Sequence, residues 1–448
     1  MKEAPSWGVE PVPERLRVLG LADSLALWGN LGISLLVLVA GTYLVPALSL
    51  KDALLAILVG GLIGNAMLGT AGLIGADARV PAMVLLRAPL GRRGSWLPTV
   101  LNVLQNLGWA TFELVVIATA AGALSQKVLG FHATWAWTIG FGALTFVFGL
   151  LGPIGFVRTW VRRFALWVVL ASLGYLTWWS IDGADLHGLW STPGAGGLSF
   201  WAGVDLMIAM PASWLPLAAD YTRFSRDRRT AFAGTGLGYL IPNVWLFGLG
   251  ALLLLSRGLS EPTDLLTTIA GGGLAGGLAL LALTVDETDE PFANVYSAAV
   301  SIQNVLPRAP QALLIGLVAA ASTGGALVLD LGRYLDFLYL LGSAFVPLFG
   351  VLLADWLLAG LRYTREDVFA APALRAELVA AWVGGFCLYQ WLEPVGPGWW
   401  VALVERTHPH ALPWGGASIP SLVASFGLAA LLALATRRFG PLADPERA

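Results

Sequence analysis

"LALTVDETDEPFANVYSAAVSIQ", residues 281–303, sets Asp286, Glu287, Asp289 and Glu290 almost side by side in a run that is otherwise apolar or small. A carboxylate at the centre of a bilayer costs about 2.5–3.5 kcal/mol on insertion scales, so four in one membrane-length segment imply a function. Read as one helix at 100° per residue, Asp286, Asp289, Glu290, Asn294, Ser297 and Ser301 share a face, with Glu287 at its edge. Val285, Phe292 and Val295 lie opposite. Pro291 cannot donate to the carbonyl of Glu287, which frees that oxygen beside Thr288. Carboxylate, hydroxyl and freed carbonyl oxygens are the hard ligands a cation such as Na⁺ takes.

The surrounding composition says what kind of chain this is. Of its 448 residues, 57% are hydrophobic and only 12% charged. Such values belong to a membrane protein. A formal net charge of −2 argues against a nucleic-acid partner. The single cysteine, Cys387, excludes an internal disulfide and a cysteine metal cluster, and is expected to be a packing residue. No cleavable signal peptide is expected at the polar start, "MKEAPSWGVEPVPERLRVLG".

About twelve apolar spans follow, near 25–46, 52–72, 97–124, 135–152, 164–181, 201–220, 235–255, 273–301, 312–328, 334–358, 378–391 and 419–436. With a cytoplasmic N-terminus, 21 of the 26 basic residues fall on the cytoplasmic side. Only Lys51, Lys127, Arg257, Arg333 and Arg406 fall outside. That segregation supports twelve spans with both termini inside. Trp135, Trp137, Trp178, Trp179, Trp399 and Trp400 sit at span ends and read as interfacial anchors. All four histidines lie in outer loops, so a proton path through the core would use carboxylates.

The chain divides into a tail (1–22), five spans (23–181), a glycine-rich outer loop (182–200), five more spans (201–358) and a closing pair with its tail (359–448). A five-plus-five arrangement is what an inverted-repeat transporter requires. The first and sixth spans are both interrupted. "LALWGNLGIS" (25–34) carries Gly29, Asn30 and Gly32, and "MPASWLPLAADYTRF" (210–224) brackets Ser213 and Trp214 with Pro211 and Pro216. Broken helices at equivalent places in two halves expose backbone groups to a midplane site. In the third span, "LNVLQNLGWATFELVV" (101–116), Gln105, Trp109 and Glu113 stack four apart. Gly108 beside them allows close approach. An indole, an amide and a carboxylate suit a flat heteroaromatic ring with donors and acceptors on its edge.

"LLRAPLGRRGSWLPTVLNVLQNLGW" (85–109), "DYTRF" (220–224), the acidic eighth span and "FVPLFGVLLADWLL" (345–358) together resemble the nucleobase:cation symporter-1 family, over nearly the whole chain. The pattern is most similar to hydroxymethylpyrimidine permeases within it. The resemblance implies an all-α LeuT-type fold, two inverted five-helix repeats plus two helices. It implies a small heteroaromatic substrate held between spans one, three, six and eight. Trp109 matches the family's stacking tryptophan, Glu113 a substrate-binding glutamine of hydantoin transporters, and Asn294 their substrate-contacting asparagine. Thr288 and Asp289 fall on a pair of hydroxyl residues that ligate Na⁺, joined by span-one carbonyls near Gly29–Gly32. An aspartate at 289 admits H⁺ as well. The aromatic expected near Pro211 is absent, and Trp214 lies one turn further on.

The expected protein is therefore a cation symporter of a prokaryotic inner membrane, a monomer in the bilayer without a cofactor. It would import hydroxymethylpyrimidine or cytosine, with Asp286 and Asp289 setting the affinity for Na⁺ or H⁺; a hydantoin or purine is the alternative cargo. The rival from another class is an intramembrane enzyme, because "DETD" resembles the Mg²⁺-diphosphate motifs of membrane prenyltransferases. That chemistry needs a second acidic motif and nearby basic residues, which the sequence lacks.

Overall fold

In a computed structural model, residues 9–151, 155–306, 308–408 and 412–439 are described. Lys2, His410 and Arg447 lie outside them, as do the side chains of Asp289, Arg158, Arg162, Arg163, Arg437 and Arg438. Each of the twelve apolar stretches coincides with a helix or a broken pair. The first is α1 (Leu21–Leu31) with α2 (Leu35–Thr42). Then come α3 (Leu50–Ala78), α4 (Trp96–Leu129), α5 (Thr134–Leu151) and α6 (Gly155–Ile181). The sixth stretch is α7 (Phe200–Ala212) with α8 (Ala218–Thr222), and the seventh is α9 (Arg228–Ser256). The eighth is α10 (Gly273–Glu287) with α11 (Asp289–Val305), followed by α12 (Gln311–Ala326) and α13 (Tyr334–Leu358). The closing pair is α14 (Ala376–Leu392) and α15 (Ser418–Phe439). Among the described residues, five helices and the α1–α2 pair, bent by 60°, are long and apolar enough to cross a bilayer.

Both expected interruptions are present, the first at a shifted position and the sixth where it was expected. Gly29 and Asn30 lie inside α1, and the chain leaves helical order only at Gly32–Ser34. Gly32 meets a different need. A Cβ there would stand 2.5 Å from the Pro242 ring of α9, so the glycine is a packing residue. The sixth stretch breaks between Ala212 and Ala218. The eighth is not one helix as the wheel assumed, because it is interrupted at Thr288. Pro291 falls in the first turn of α11, where the missing N–H has no intrahelical partner to lose.

The core is built by close approach of small residues, as expected where lipid offers no hydrophobic drive between helices. α9 lies against α1, α2 and α3. A Cβ on Gly41 would stand 2.0 Å from the Phe247 carbonyl oxygen, and one on Gly250 would stand 1.9 Å from that of Leu38. The backbones of α2 and α9 therefore touch. At one end the closing helices are moored by a carboxylate: Asp205 of α7, buried, accepts from the first amides of α15, Ala417 at 2.6 Å and Ser418 at 3.0 Å.

The opposite end, rich in arginine, is tied by charge. Arg228 grips Asp77 with two parallel bonds of 2.9 and 2.7 Å and donates to the Leu361 carbonyl. Arg375 joins Asp355 at 2.7 Å and the Ala88 carbonyl at 2.9 Å. Burial pushes the Tyr363 phenol above its ordinary value, with Asp355 adding to the effect, so it stays a donor to that carboxylate. Residues 12–19 run over this end, with Val12 donating to the Arg79 carbonyl and Leu19 to that of Phe224.

Two smaller expectations need correction. Cys387 is exposed on the outer face of α14 and does not pack in the core. Of the six tryptophans, Trp135, Trp178 and Trp399 are exposed as anchors require. Trp137 instead donates to Ser125, Trp400 to Gln390, and Trp179 lies under the Arg257 guanidinium at 4.1 Å.

Gly250→Val should cost about 1–3 kcal/mol of stability by overpacking. The melting temperature of the purified protein reads this. Gly427→Ala, where nothing lies within 4 Å of the added Cβ, should leave the melting temperature unchanged or slightly higher. Equal melting of the two variants would contradict the backbone contact.

Candidate functional site

Glu287 ends α10 with its carboxylate buried, 3% exposed. The Ser34 hydroxyl donates to one of its oxygens at 2.7 Å and the Leu35 amide donates to the other at 2.8 Å. Ser34 is itself the N-cap of α2, accepting from the Leu36 amide at 3.0 Å. A helix starting in mid-membrane leaves amides that no water reaches, and a carboxylate satisfies both their hydrogen bonding and their partial positive charge. The break in span one is thus closed by the break in span eight. The wheel had put Glu287 at an edge. The interruption at Thr288 makes it the central residue, leaving Asp286 half-buried and Val285 exposed. The Thr288 hydroxyl donates to the Val285 carbonyl at 2.7 Å and retains lone pairs. Gly29 of the expected cation set is withdrawn into α1, and Gly32 borders the break.

One turn into α11, Asn294 donates its amide to both oxygens of Glu113 at 2.9 and 3.1 Å, and to the Glu290 carbonyl at 3.2 Å. Spans three and eight, 181 residues apart at these positions, meet there. The amide orients the Glu113 carboxylate, and Glu113 is 4% exposed. Trp109, one turn away on α4, is half-buried. Its ring meets Tyr334 and Phe337 of α13 edge-on, with centroids 6.0 and 5.4 Å apart. Phe337 fills the space beside Gly108, where a Cβ would lie 2.4 Å from the ring. That gap serves span ten and not a ligand or a backbone.

The sixth-span residues go elsewhere. The Ser213 hydroxyl donates to the Met210 carbonyl of its own helix at 2.7 Å. Trp214 donates its indole N–H to the Tyr239 hydroxyl at 2.8 Å, and its ring stands edge-on to Trp28 of α1 at 5.8 Å. Trp28, Trp214, Tyr221 and Tyr239 form their own aromatic cluster. Asn30 is half-buried in α1, and its carbonyl accepts from Gly32 and Ile33.

Below Glu113, Gln105 donates to Asn102 at 2.8 Å, and Asn102 donates to Ser301 of α11 at 3.4 Å. The Gln105 amide oxygen and both polar atoms of Asn106 are buried without a protein partner. Each such group costs about 1–3 kcal/mol when left dry. A cavity of about 400 Å³ lies apart from all of these groups, between α3, α6 and α9, with largely apolar walls that include Leu54, Trp190 and Trp245.

Sequence reasoning missed Ser34, Trp28, Tyr334, Phe337 and Asn106. Ser34 was legible, being a serine directly before an apolar run. The aromatic partners are long-range contacts with no local signal.

The chain thus combines broken first and sixth spans with a buried carboxylate–amide pair between spans three and eight. A family model for permeases of cytosine/purines, uracil, thiamine and allantoin matches residues 11–371. The chain belongs to this family, nucleobase:cation symport-1, and is a transporter, not an enzyme. Cytosine permease of Escherichia coli K12 is 25% identical over 406 residues, which cover 89% of this chain and 92% of that one. Hydantoin permease of Microbacterium maritypicum is 26% identical, covering 76% and 73%. The inward-facing structure of Mhp1 superposes with a TM-score of 0.81 at 20% identity, covering 99% and 97%, and establishes the LeuT-type fold.

The Glu287 link should be measurable as a coupling. Glu287→Gln and Ser34→Ala should each lower stability, and the double variant should lose less than the sum, by about 0.5–3 kcal/mol. Strict additivity in thermal melts would show that the link carries no energy.

Proposed function

We propose that the chain imports a small pyrimidine, hydroxymethylpyrimidine or cytosine, across a prokaryotic inner membrane through twelve spans with both termini cytoplasmic. It does so as a monomer, without a cofactor, and by symport with Na⁺ or H⁺. The observation that carries the reading is the Glu113–Asn294 pair at the meeting of spans three and eight, one turn from Trp109. A carboxylate held by an amide accepts from an exocyclic amino group or a ring N–H, and the amide oxygen of Asn294 is a second acceptor beside it. The indole face of Trp109 stacks on the ring. Gln105 extends the polar stripe on the same side of α4. Asn30 lies beside the break of span one, while Ser213 and Trp214, engaged by Met210 and Tyr239, are given no contact with the substrate.

The coupling cation is held at the Thr288 interruption by Asp286, Thr288, Asp289 and backbone oxygens near Gly32. The donors are all hard oxygens, which fits Na⁺; the carboxylates equally accept H⁺. Glu287 beside them already ties span one to span eight, so a charge arriving here acts on both breaks at once. Transport follows as alternating access, with the cation stabilising the substrate-competent outward state. The chain's similarity to a hydantoin permease supports a second reading, in which the cargo is a hydantoin.

Uptake of radiolabelled hydroxymethylpyrimidine, cytosine and a hydantoin into proteoliposomes, with Na⁺ and pH gradients imposed separately, tests this. Accumulation of one pyrimidine under one gradient is expected. Glu113→Gln should weaken its affinity about 10–100-fold, the worth of a charged hydrogen bond. Transport of none of the three under either gradient would overturn the assignment.

A further inference from the structure

The run "LLRAPLGRRGSW" (85–96) sets three arginines at the arginine-rich end, and neither the substrate site nor the cation site uses them. Its backbone is locked to the segment that precedes α14. Arg92 and Arg93 donate their amides to the Pro372 and Ala373 carbonyls at 2.9 and 2.7 Å, and the Arg375 amide donates to Leu90 at 3.0 Å. Gly91 takes a φ of 84°, and a Cβ there would stand 2.8 Å from the Leu374 Cα. The guanidinium groups of Arg87, Arg92 and Arg93 are thus carried on fixed backbone.

Elsewhere at this end Arg17, Arg79, Arg228, Arg365 and Arg375 each pair with a carboxylate. Among the described residues, Arg87, Arg92 and Arg93 pair with none. Arg87 is half-buried, and burial lowers its guanidinium from the ordinary value, with the charge of Arg92 adding to the effect. A half-buried cation beside a like charge calls for an anion. Arg92 and Arg93 are exposed and stand one tight turn ahead of α4. Trp96, Leu97, Val100 and Leu104 of α4 are exposed as well. They share an arc of about 100° over about 12 Å of the helix. Such a strip on a membrane protein faces acyl chains, and an indole at its end marks the headgroup level.

We propose that Arg87, Arg92 and Arg93 hold the phosphate of an anionic phospholipid in the leaflet at the arginine-rich end, its acyl chains lying along the exposed strip of α4. Guanidinium groups meet phosphate oxygens through paired, charge-assisted bonds. A net negative headgroup is required, because a zwitterionic one brings its own ammonium to the same cluster. The bound lipid relieves the repulsion between Arg87 and Arg92.

The probe is radiolabelled dioleoylphosphatidylglycerol, bound at equilibrium to the purified protein in detergent. Unlabelled dioleoylphosphatidylglycerol should compete, whereas dioleoylphosphatidylcholine and inorganic phosphate should not. Arg87→Gln and Arg92→Gln should each weaken binding about fivefold. Arg229, exposed at the same end without an ion pair, is the control, and Arg229→Gln should stay within about twofold. Arg92 is exposed, so its variant carries the test should Arg87→Gln not fold. Equal weakening in Arg92→Gln and Arg229→Gln would reduce the effect to diffuse surface charge and overturn the site. Full competition by the phosphatidylcholine would refute a headgroup selected by charge, and full competition by inorganic phosphate would assign the cluster to a soluble anion instead of a lipid.

Discussion

A carboxylate accepting from the first amide of a helix that begins in mid-membrane is the contact on which the rest of this structure depends. The α1–α2 break leaves polar backbone in a region where water is scarce. Glu287 satisfies it from another span, through Ser34 and the Leu35 amide. Without such a partner the bend in span one would be a costly defect. With it, two interruptions 252 residues apart become one joint. Part of the charge in the acidic stretch is therefore architectural.

Around that joint the molecule uses two kinds of adhesive. Glycine brings α2 and α9 into backbone contact, so the scaffold there is rigid and intolerant of added volume. Amides and carboxylates join α4 to α11, where the packing of small apolar residues is supplemented by polar contacts. The aromatic groups divide in the same way. Trp28 and Trp214 knit α1 to the sixth span and α9, whereas Trp109 leans on span ten.

Much of this was legible in advance because lipid imposes strict rules. Hydropathy located each span, since twenty apolar residues have few other uses. The polar faces carrying Glu113 and Asn294 were legible from helical periodicity, but their meeting was not. What escaped notice depended on partners remote in sequence. Gly29 and Gly32 looked like the hinge, but glycine in a membrane helix serves packing as readily as bending, and the capping serine marked the true start of α2. A continuous wheel through span eight set Glu287 at an edge, whereas α10 ends at Glu287 and its carboxylate is buried against the start of α2. Gly108 was read as room for a ligand because nothing local announces that Phe337 fills it.

The bond from Asp205 to the start of α15 bears on what the last helix is for. Shortening the chain ahead of residue 417 would leave the buried Asp205 of α7 without these two donors. The closing pair is thus no detachable appendage, because its last helix satisfies a carboxylate buried about two hundred residues earlier.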